Sequence, residues 1–171
     1  MHAIPALRTT SLRSLPAWSR IAIGGSLLAL ADLAFASLFW SLHNGTPPIR
    51  IPQSIAAWVL GSGTAHAGGT ATALAGMVLY ACVVCAMVAG YLRLWQRFAM
   101  VRTWGFAGGV IYGCAMYALL FHGVLPAWSA APPSTEQPWT WVVACLAAYS
   151  GIGAGCVVIA RSNCIGVMRT D

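Results

Sequence analysis

The chain has 171 residues, of which 59% are hydrophobic and only 7% are charged, and its mean hydropathy is +0.76. Soluble domains carry roughly 25% charged residues, so this composition excludes an ordinary soluble domain and predicts an integral membrane protein. The formal net charge is +6, and all nine basic residues are arginines. Because these arginines lie at the ends of apolar segments, the charge indicates membrane topology, and we expect a lipid bilayer as partner and no nucleic acid.

Four apolar segments are long enough to cross a bilayer, which requires about 20 residues of helix. They lie at 21–42, 70–92, 103–124 and 139–160. We therefore predict an all-α protein, an integral membrane four-helix transmembrane bundle, that forms a single transmembrane domain over residues 1–171. The first segment follows basic residues, as a secretory signal does, but its length and its acidic residue favour an uncleaved helix.

The arginines are distributed unevenly between the two sides of these spans. Only Arg50 lies on one side, and eight lie on the other: Arg8, Arg13, Arg20, Arg93, Arg97, Arg102, Arg161 and Arg169. Arginine-rich connections stay in the cytoplasm. We therefore expect a multi-pass protein of the bacterial inner (cytoplasmic) membrane with its N- and C-termini cytoplasmic. The absence of lysine is typical of a GC-rich bacterial genome.

The first outer loop contains "IPQSIAAWVLG", a mostly apolar stretch too short to span the membrane. Pro52 suits the first turn of a helix, so we predict a short interfacial helix in the first outer loop, at about 52–62. The "RIPQS" stretch gathers Arg50, Gln53 and Ser54 at the start of this helix. These three residues are an outer-loop binding candidate, with Arg50 either anchored to lipid phosphate or contacting a partner or ligand.

Small residues mark the faces on which the helices are expected to pack, since membrane helices associate by close backbone approach. In the third span Gly105, Gly109 and Gly113 repeat every four residues and form two overlapping GxxxG patterns. We predict that these three glycines make a helix-packing face.

One acidic residue, Asp32, lies in the middle of the first span. At about 1.5 Å per helical residue, Tyr80, Tyr112 and Tyr149 fall near the same membrane depth, which predicts an intramembrane polar cluster of Asp32, Tyr80, Tyr112 and Tyr149. A charged group there costs about 2.5–3.5 kcal/mol and should face protein donors. The cluster is either a hydrogen-bonded clasp between helices or a site that binds a proton, a cation or a substrate.

Other chemistry-bearing residues form no compelling pattern. The three acids Asp32, Glu136 and Asp171 supply no paired carboxylates and no Ser-His-Asp set, so we expect no catalytic site and no enzyme. The "CVVC" at 82–85 lies inside a span, where a redox pair is not accessible. His43, His66 and His122 fall on the outer side and are weak candidates for a transition metal or haem; otherwise we expect no metal and no cofactor.

The stretches "GGSLLALADLAFASLFW", "RIPQSIAAWVLG", "GGTATALAGMVLY" and "GGVIYGCAMYALLFHGVLPAWSAAP" resemble a family of small uncharacterised four-span bacterial inner-membrane proteins. The likeness covers about residues 24–132. A more distant similarity, to YagU-type acid-stress membrane proteins, rests on span count and size. The resemblance implies these shared positions: Asp32, Arg50, Gln53, Ser54, Gly69, Tyr112, Gly113, Tyr117 and Pro126. The second span of such proteins often carries a histidine where this chain reads "MVLYAC".

Three functions remain open at this point. The leading hypothesis is an accessory or structural subunit of a membrane complex, or a stress-linked membrane protein, with a membrane-protein partner or a homo-oligomeric state. The alternative is a small proton- or solute-transporting membrane protein that uses Asp32. The third is a haem or metal protein that uses the outer-side histidines.

Overall fold

The structure, a computed structural model, describes residues 16–131 and 138–167. All regular secondary structure in these residues is helical, and four of the helices are long and apolar enough to cross a membrane. The predicted all-α fold class with a four-helix transmembrane bundle is confirmed. Glu136 and Asp171 lie outside the described residues, as do the predicted topology markers Arg8, Arg13 and Arg169.

The four crossings extend past most ends of the predicted spans, because polar residues at the membrane interface continue each helix beyond its apolar centre. The first, second and fourth are α1 (Ala17–Asn44), α4 (Gly69–Arg97) and α7 (Trp139–Val167). The third crossing combines α5 (Ala99–Ala118), a π-helical segment (Leu119–Val124) and α6 (Leu125–Trp128).

Two short helices, α2 (Arg50–Leu60) and α3 (Ser62–Ala67), connect α1 to α4. The helix predicted over 52–62 begins earlier, since the Arg50 amide already donates to the Pro47 carbonyl at 2.9 Å. Pro52 fits the first turn because its missing N–H would have no partner there. The glycine-rich segment between α2 and α4 is mostly α3, and Gly61 (φ 76°) and Gly69 (φ 58°) flank it.

Helix α2 packs into the bundle beside the first turns of α4. The Pro52 carbonyl lies so close to Gly76 of α4 that a Cβ atom at Gly76 would overlap it. Pro48 and Ile49, just before α2, line a groove together with Leu33 and Ala34 of α1. The start of α2 therefore lies within about one helical turn of Asp32 along α1.

The closest helix pair joins α5 to α7 through glycines. A Cβ atom at Gly113 would overlap the Tyr149 carbonyl, and one at Gly109 would come within 2.6 Å of the Gly153 carbonyl. The third glycine of the predicted pattern, Gly105, has another role: its φ of 54° and ψ of −127° interrupt the helix. Only glycine adopts such a conformation readily, so Gly105 makes a break while Gly109 and Gly113 make the close approach.

The π-helical segment precedes Pro126 and has a local cause. Proline lacks an N–H, and its ring clashes with the carbonyl four residues earlier, here that of His122. A local shift to wider π-type hydrogen bonding accommodates this ring inside a helix. The crossing can therefore continue through Pro126 to Trp128, which lengthens the wall beside α7.

The tightest part of the core lies toward the end of α4 and is apolar. Val84, Val88, Cys156 and Val157 are fully buried there. Large apolar side chains on the outer faces, among them Leu27, Leu38, Leu74, Val78, Ile111 and Val143, are exposed in the isolated chain. Such faces suit contact with lipid tails. These features describe a multi-pass membrane protein with a dry core at one end of the bundle.

Candidate functional site: a cavity ending at Asp32

A cavity of about 470 Å³ opens at the end of the bundle where α1 ends and α4 begins. We call it the Asp32 cavity. Its walls come mainly from α1, α2 and α7, with Tyr80 from α4, and they include Asp32, Ala36, Trp40, Arg50, Ser54, Trp58, His66, Tyr80, Phe121, Trp141, Cys145 and Tyr149. Its volume falls within the range of about 300–1,000 Å³ that is common for small-molecule sites.

The inner end of the cavity is formed by Asp32 and two tyrosines. The Tyr80 hydroxyl donates a hydrogen bond to Asp32 Oδ2, and the Tyr149 hydroxyl lies within hydrogen-bonding reach of Tyr80. Both tyrosines are only 3% exposed, while Asp32 is half-buried. No other hydrogen bond reaches the Asp32 carboxyl in the described part of the chain, so its second oxygen is available to a ligand.

Small residues bring these side chains together. Ala29 and Ala36 lie one turn on either side of Asp32 on the buried face of α1. Gly76, one turn before Tyr80, leaves room for α2, and Gly153, one turn after Tyr149, lets α7 approach α5. The small residues therefore set the distance between the helices. Asp32, Tyr80 and Tyr149 lie on the same helix faces as these small residues and point inward.

Tyr112, the fourth member of the predicted cluster, lies elsewhere. Its hydroxyl donates to the Met87 carbonyl at 2.8 Å, and its ring packs against Tyr91 with centroids 5.1 Å apart. Met87 lies seven residues, about 10 Å, along α4 from Tyr80, so the Tyr112 hydroxyl is not at the level of the other three side chains. Tyr112 also lies about 100° around the helix from Gly113 and points toward the latter half of α4. The structure brings Asp32, Tyr80 and Tyr149 together without Tyr112.

The outer-loop binding candidate divides into two parts. Arg50 and Ser54 line the Asp32 cavity, and the Arg50 guanidinium has no hydrogen-bond or ion-pair partner among the residues that the structure describes. Gln53 points away from it: this side chain is 2% exposed and its Nε2 donates to the Gly69 carbonyl at 2.9 Å. Gln53 therefore anchors α2 to the start of α4, while Arg50 and Ser54 face the cavity.

Trp40, Phe121 and Trp141 also line the cavity, and sequence reasoning did not assign these three rings to a site. Trp40 and Trp141 contact each other with centroids 5.0 Å apart, and Phe121 packs edge-on to Tyr149 at 6.0 Å. A usable signal was present, because Trp141, Cys145 and Tyr149 are spaced four residues apart and must share one face of α7. Following the face of Tyr149 and Cys145 one turn further toward the start of α7 would have found Trp141.

The three histidines predicted on the outer side have different surroundings. His66 lines the Asp32 cavity, His43 stacks on Phe39 with centroids 5.6 Å apart, and His122 lies edge-on to Tyr117 at 5.9 Å. Within residues 16–131 and 138–167, no three His, Cys, Asp or Glu side chains form a group that could hold a metal ion.

The Asp32 cavity offers a carboxyl that accepts hydrogen bonds or a cation, a guanidinium that donates them, and aromatic walls that exclude water. Beyond Tyr80 and Tyr149 the described chain packs into the core around Val84 and Val157, which closes the inner end of the cavity. Comparisons with known proteins add no candidate activity: no family model, curated protein or solved structure matches the chain.

Proposed function

We propose that this protein is a small membrane carrier that binds a polar solute in the Asp32 cavity. The observation that supports this proposal is the half-buried Asp32 carboxyl at the inner end of a 470 Å³ cavity. Among the described residues, Tyr80 is its one hydrogen-bond donor. An ionisable residue at membrane depth is costly, and such residues commonly mark ion or substrate pathways. A pure clasp between helices would need no cavity beside the carboxyl.

The pocket-like shape fits one state of a carrier. The exposed Arg50 and Ser54 line the cavity at the α2 end, and among the described residues the fully buried Val84, Val88 and Val157 fill the core beyond its inner end. A carrier alternates between states that are open to opposite sides around a binding site near the membrane centre. Helices α5 and α7 form one pair, joined by their glycine seam, and α1 and α4 form a second pair. In a carrier, the first pair would rock against the second.

Uptake into proteoliposomes tests the carrier function. The purified chain is reconstituted, and entry of labelled glycine, glycine betaine, choline and protons is measured, the last with an enclosed pH-sensitive dye. We expect uptake of at least one probe to exceed that of protein-free liposomes about tenfold or more, and Asp32→Asn to reduce it to background. Tyr112→Phe is the matched control, because it removes a hydroxyl outside the cavity and should retain uptake.

Two results contradict the proposal. Background uptake of all four probes by the wild-type protein would exclude this carrier function and return the accessory-subunit hypothesis to first place. Equal uptake by wild type and by a folded Asp32→Asn variant would exclude the role of Asp32. Circular dichroism and size-exclusion chromatography of each variant establish that it is folded.

A further inference from the structure

The walls of the Asp32 cavity carry one charge of each sign. Among the described residues that line it, Asp32 is the one carboxylic acid and Arg50 the one arginine. They do not form an ion pair with each other, since the Asp32 carboxyl accepts from Tyr80 and the Arg50 guanidinium has no partner in this part of the chain. Asp32 is half-buried and Arg50 is exposed, so the guanidinium lies nearer the opening.

Aromatic rings line the cavity on several sides, and Tyr80 and Tyr149 lie at its acidic end beside Asp32. The lining includes Trp40, Trp58, Phe121, Trp141, Tyr80 and Tyr149. The faces of such rings attract cations, above all alkylated ammonium groups that lose little hydration on entering an apolar site. A carboxyl beside the Tyr80 and Tyr149 rings, in a cavity lined by further aromatic side chains, is therefore suited to an ammonium group, which would gain both charge and ring contacts.

A ligand with a cation alone or an anion alone matches only part of this layout. A bare cation satisfies Asp32 and leaves Arg50 beside a like charge, and a bare anion does the reverse. We propose that the Asp32 cavity binds a zwitterion, with its ammonium group between Asp32 and the aromatic rings and its anionic group at Arg50. The proposal rests on the proposed function, because it names the substrate class of the same cavity.

Two sources can supply this chemistry: a free small zwitterion or the headgroup of a zwitterionic lipid. The second source has a route, since an apolar groove of about 500 Å³ borders the cavity and shares Leu33 with it. Leu30, Leu74 and Met77 line this groove, and it could hold an acyl chain. The shared feature is an ammonium group joined by a short linker to an anion.

Choline and glycine betaine form a matched pair of probes, because both carry a trimethylammonium group and only betaine adds a carboxylate. Binding to the purified full-length chain is measured by isothermal titration calorimetry. We expect betaine to bind at least about tenfold more tightly than choline, as one charge-assisted contact is worth about 1.5–3 kcal/mol. Arg50→Gln should lower the betaine affinity to that of choline and leave choline unchanged, while Asp32→Asn should abolish binding of both.

Arg97→Gln is the control for a lost arginine, because Arg97 lies at the other end of α4 and should affect neither affinity. If Arg50→Gln does not fold, Arg50→Lys retains the charge and should give an intermediate betaine affinity. Native mass spectrometry tests the lipid source. If the wild type retains phosphatidylethanolamine and Arg50→Gln loses it, the lipid headgroup is the zwitterion.

The outcomes separate the ligand class from the carrier function. Equal affinities for betaine and choline would overturn the zwitterion proposal. So would a protein that binds neither probe and retains no zwitterionic lipid. In either case, uptake of protons through Asp32 would still support a carrier. Betaine binding that depends on both Asp32 and Arg50 but produces no uptake would retain the ligand class and contradict the carrier.

Discussion

Asp32 shows at the scale of one residue how an acid is accommodated inside a membrane helix. A carboxylate at the centre of a span costs about 2.5–3.5 kcal/mol on insertion scales. The Tyr80 hydroxyl offsets part of this cost by donating to Oδ2, and the cavity keeps the other oxygen from being enclosed by apolar side chains. The residue is thus held by one neighbour and left open on the other side, as a binding group requires.

The hydrogen bond between Tyr80 and Asp32 should be measurable as a coupling energy. A double-mutant cycle with Tyr80→Phe and Asp32→Ala is expected to give about 1 kcal/mol, since side-chain hydrogen bonds between membrane helices average about 0.6 and reach about 1.7 kcal/mol. The free energy of unfolding is measured by titrating mixed micelles with SDS. The same cycle with Tyr112→Phe should give no coupling, and a coupling equal to that of Tyr80 would contradict the separation of Tyr112 from Asp32.

Sequence reasoning located this cluster in part. Counting residues from the arginines placed Asp32, Tyr80 and Tyr149 at one depth, because rise per residue is nearly constant in a helix. It could not give the direction of Tyr112, which depends on how α5 is rotated against α4. It also could not predict that Arg50 faces the cavity while Gln53 does not, because this difference depends on which face of α2 meets α4. Both missing facts are properties of packed helix pairs.

Close backbone contact organises the bundle at the scale of the elements. Gly113 and Gly153 bring α5 and α7 together, and Gly76 admits the Pro52 carbonyl of α2. The repeat of glycines was readable in the sequence, and the roles within it were not: Gly105 interrupts its helix with φ 54°. Spacing predicts which residues share a face, whereas a backbone break depends on local contacts that spacing does not encode.

The α5–α7 seam predicts opposite effects for two glycine substitutions. Gly113→Ala is expected to lower the free energy of unfolding by about 1–3 kcal/mol, the cost of overpacking, because its methyl group would overlap the Tyr149 carbonyl. Gly151→Ala is the control, since nothing lies within 4 Å of its added Cβ. It should be neutral or stabilising by up to about 1 kcal/mol, as alanine favours helix. Equal destabilisation of both variants in SDS titration would contradict the seam.

The whole molecule has two chemically different ends. Arginines of the described chain at one end include Arg20, Arg97 and Arg161, and Arg20 bonds the Ser162 carbonyl at 3.2 Å. The other end carries Arg50 and the opening of the Asp32 cavity. The sequence predicted four crossings from hydropathy alone. The cavity itself could not be predicted, because it arises only when α2 folds back beside α4 and leaves space against α1 and α7.

Four crossings place both ends of the chain on the same side of the membrane, and arginine-rich ends stay in the cytoplasm. A green fluorescent protein fused to the C-terminus of the full chain should therefore fluoresce, whereas alkaline phosphatase at the same position should be inactive, because it folds only outside the cytoplasm. We expect at least about a tenfold difference from a periplasmic control fusion. With this orientation the Asp32 cavity opens outward and meets solutes before they enter the cell. Active phosphatase with a dark fluorescent fusion would reverse the orientation and turn the cavity toward the cytoplasm.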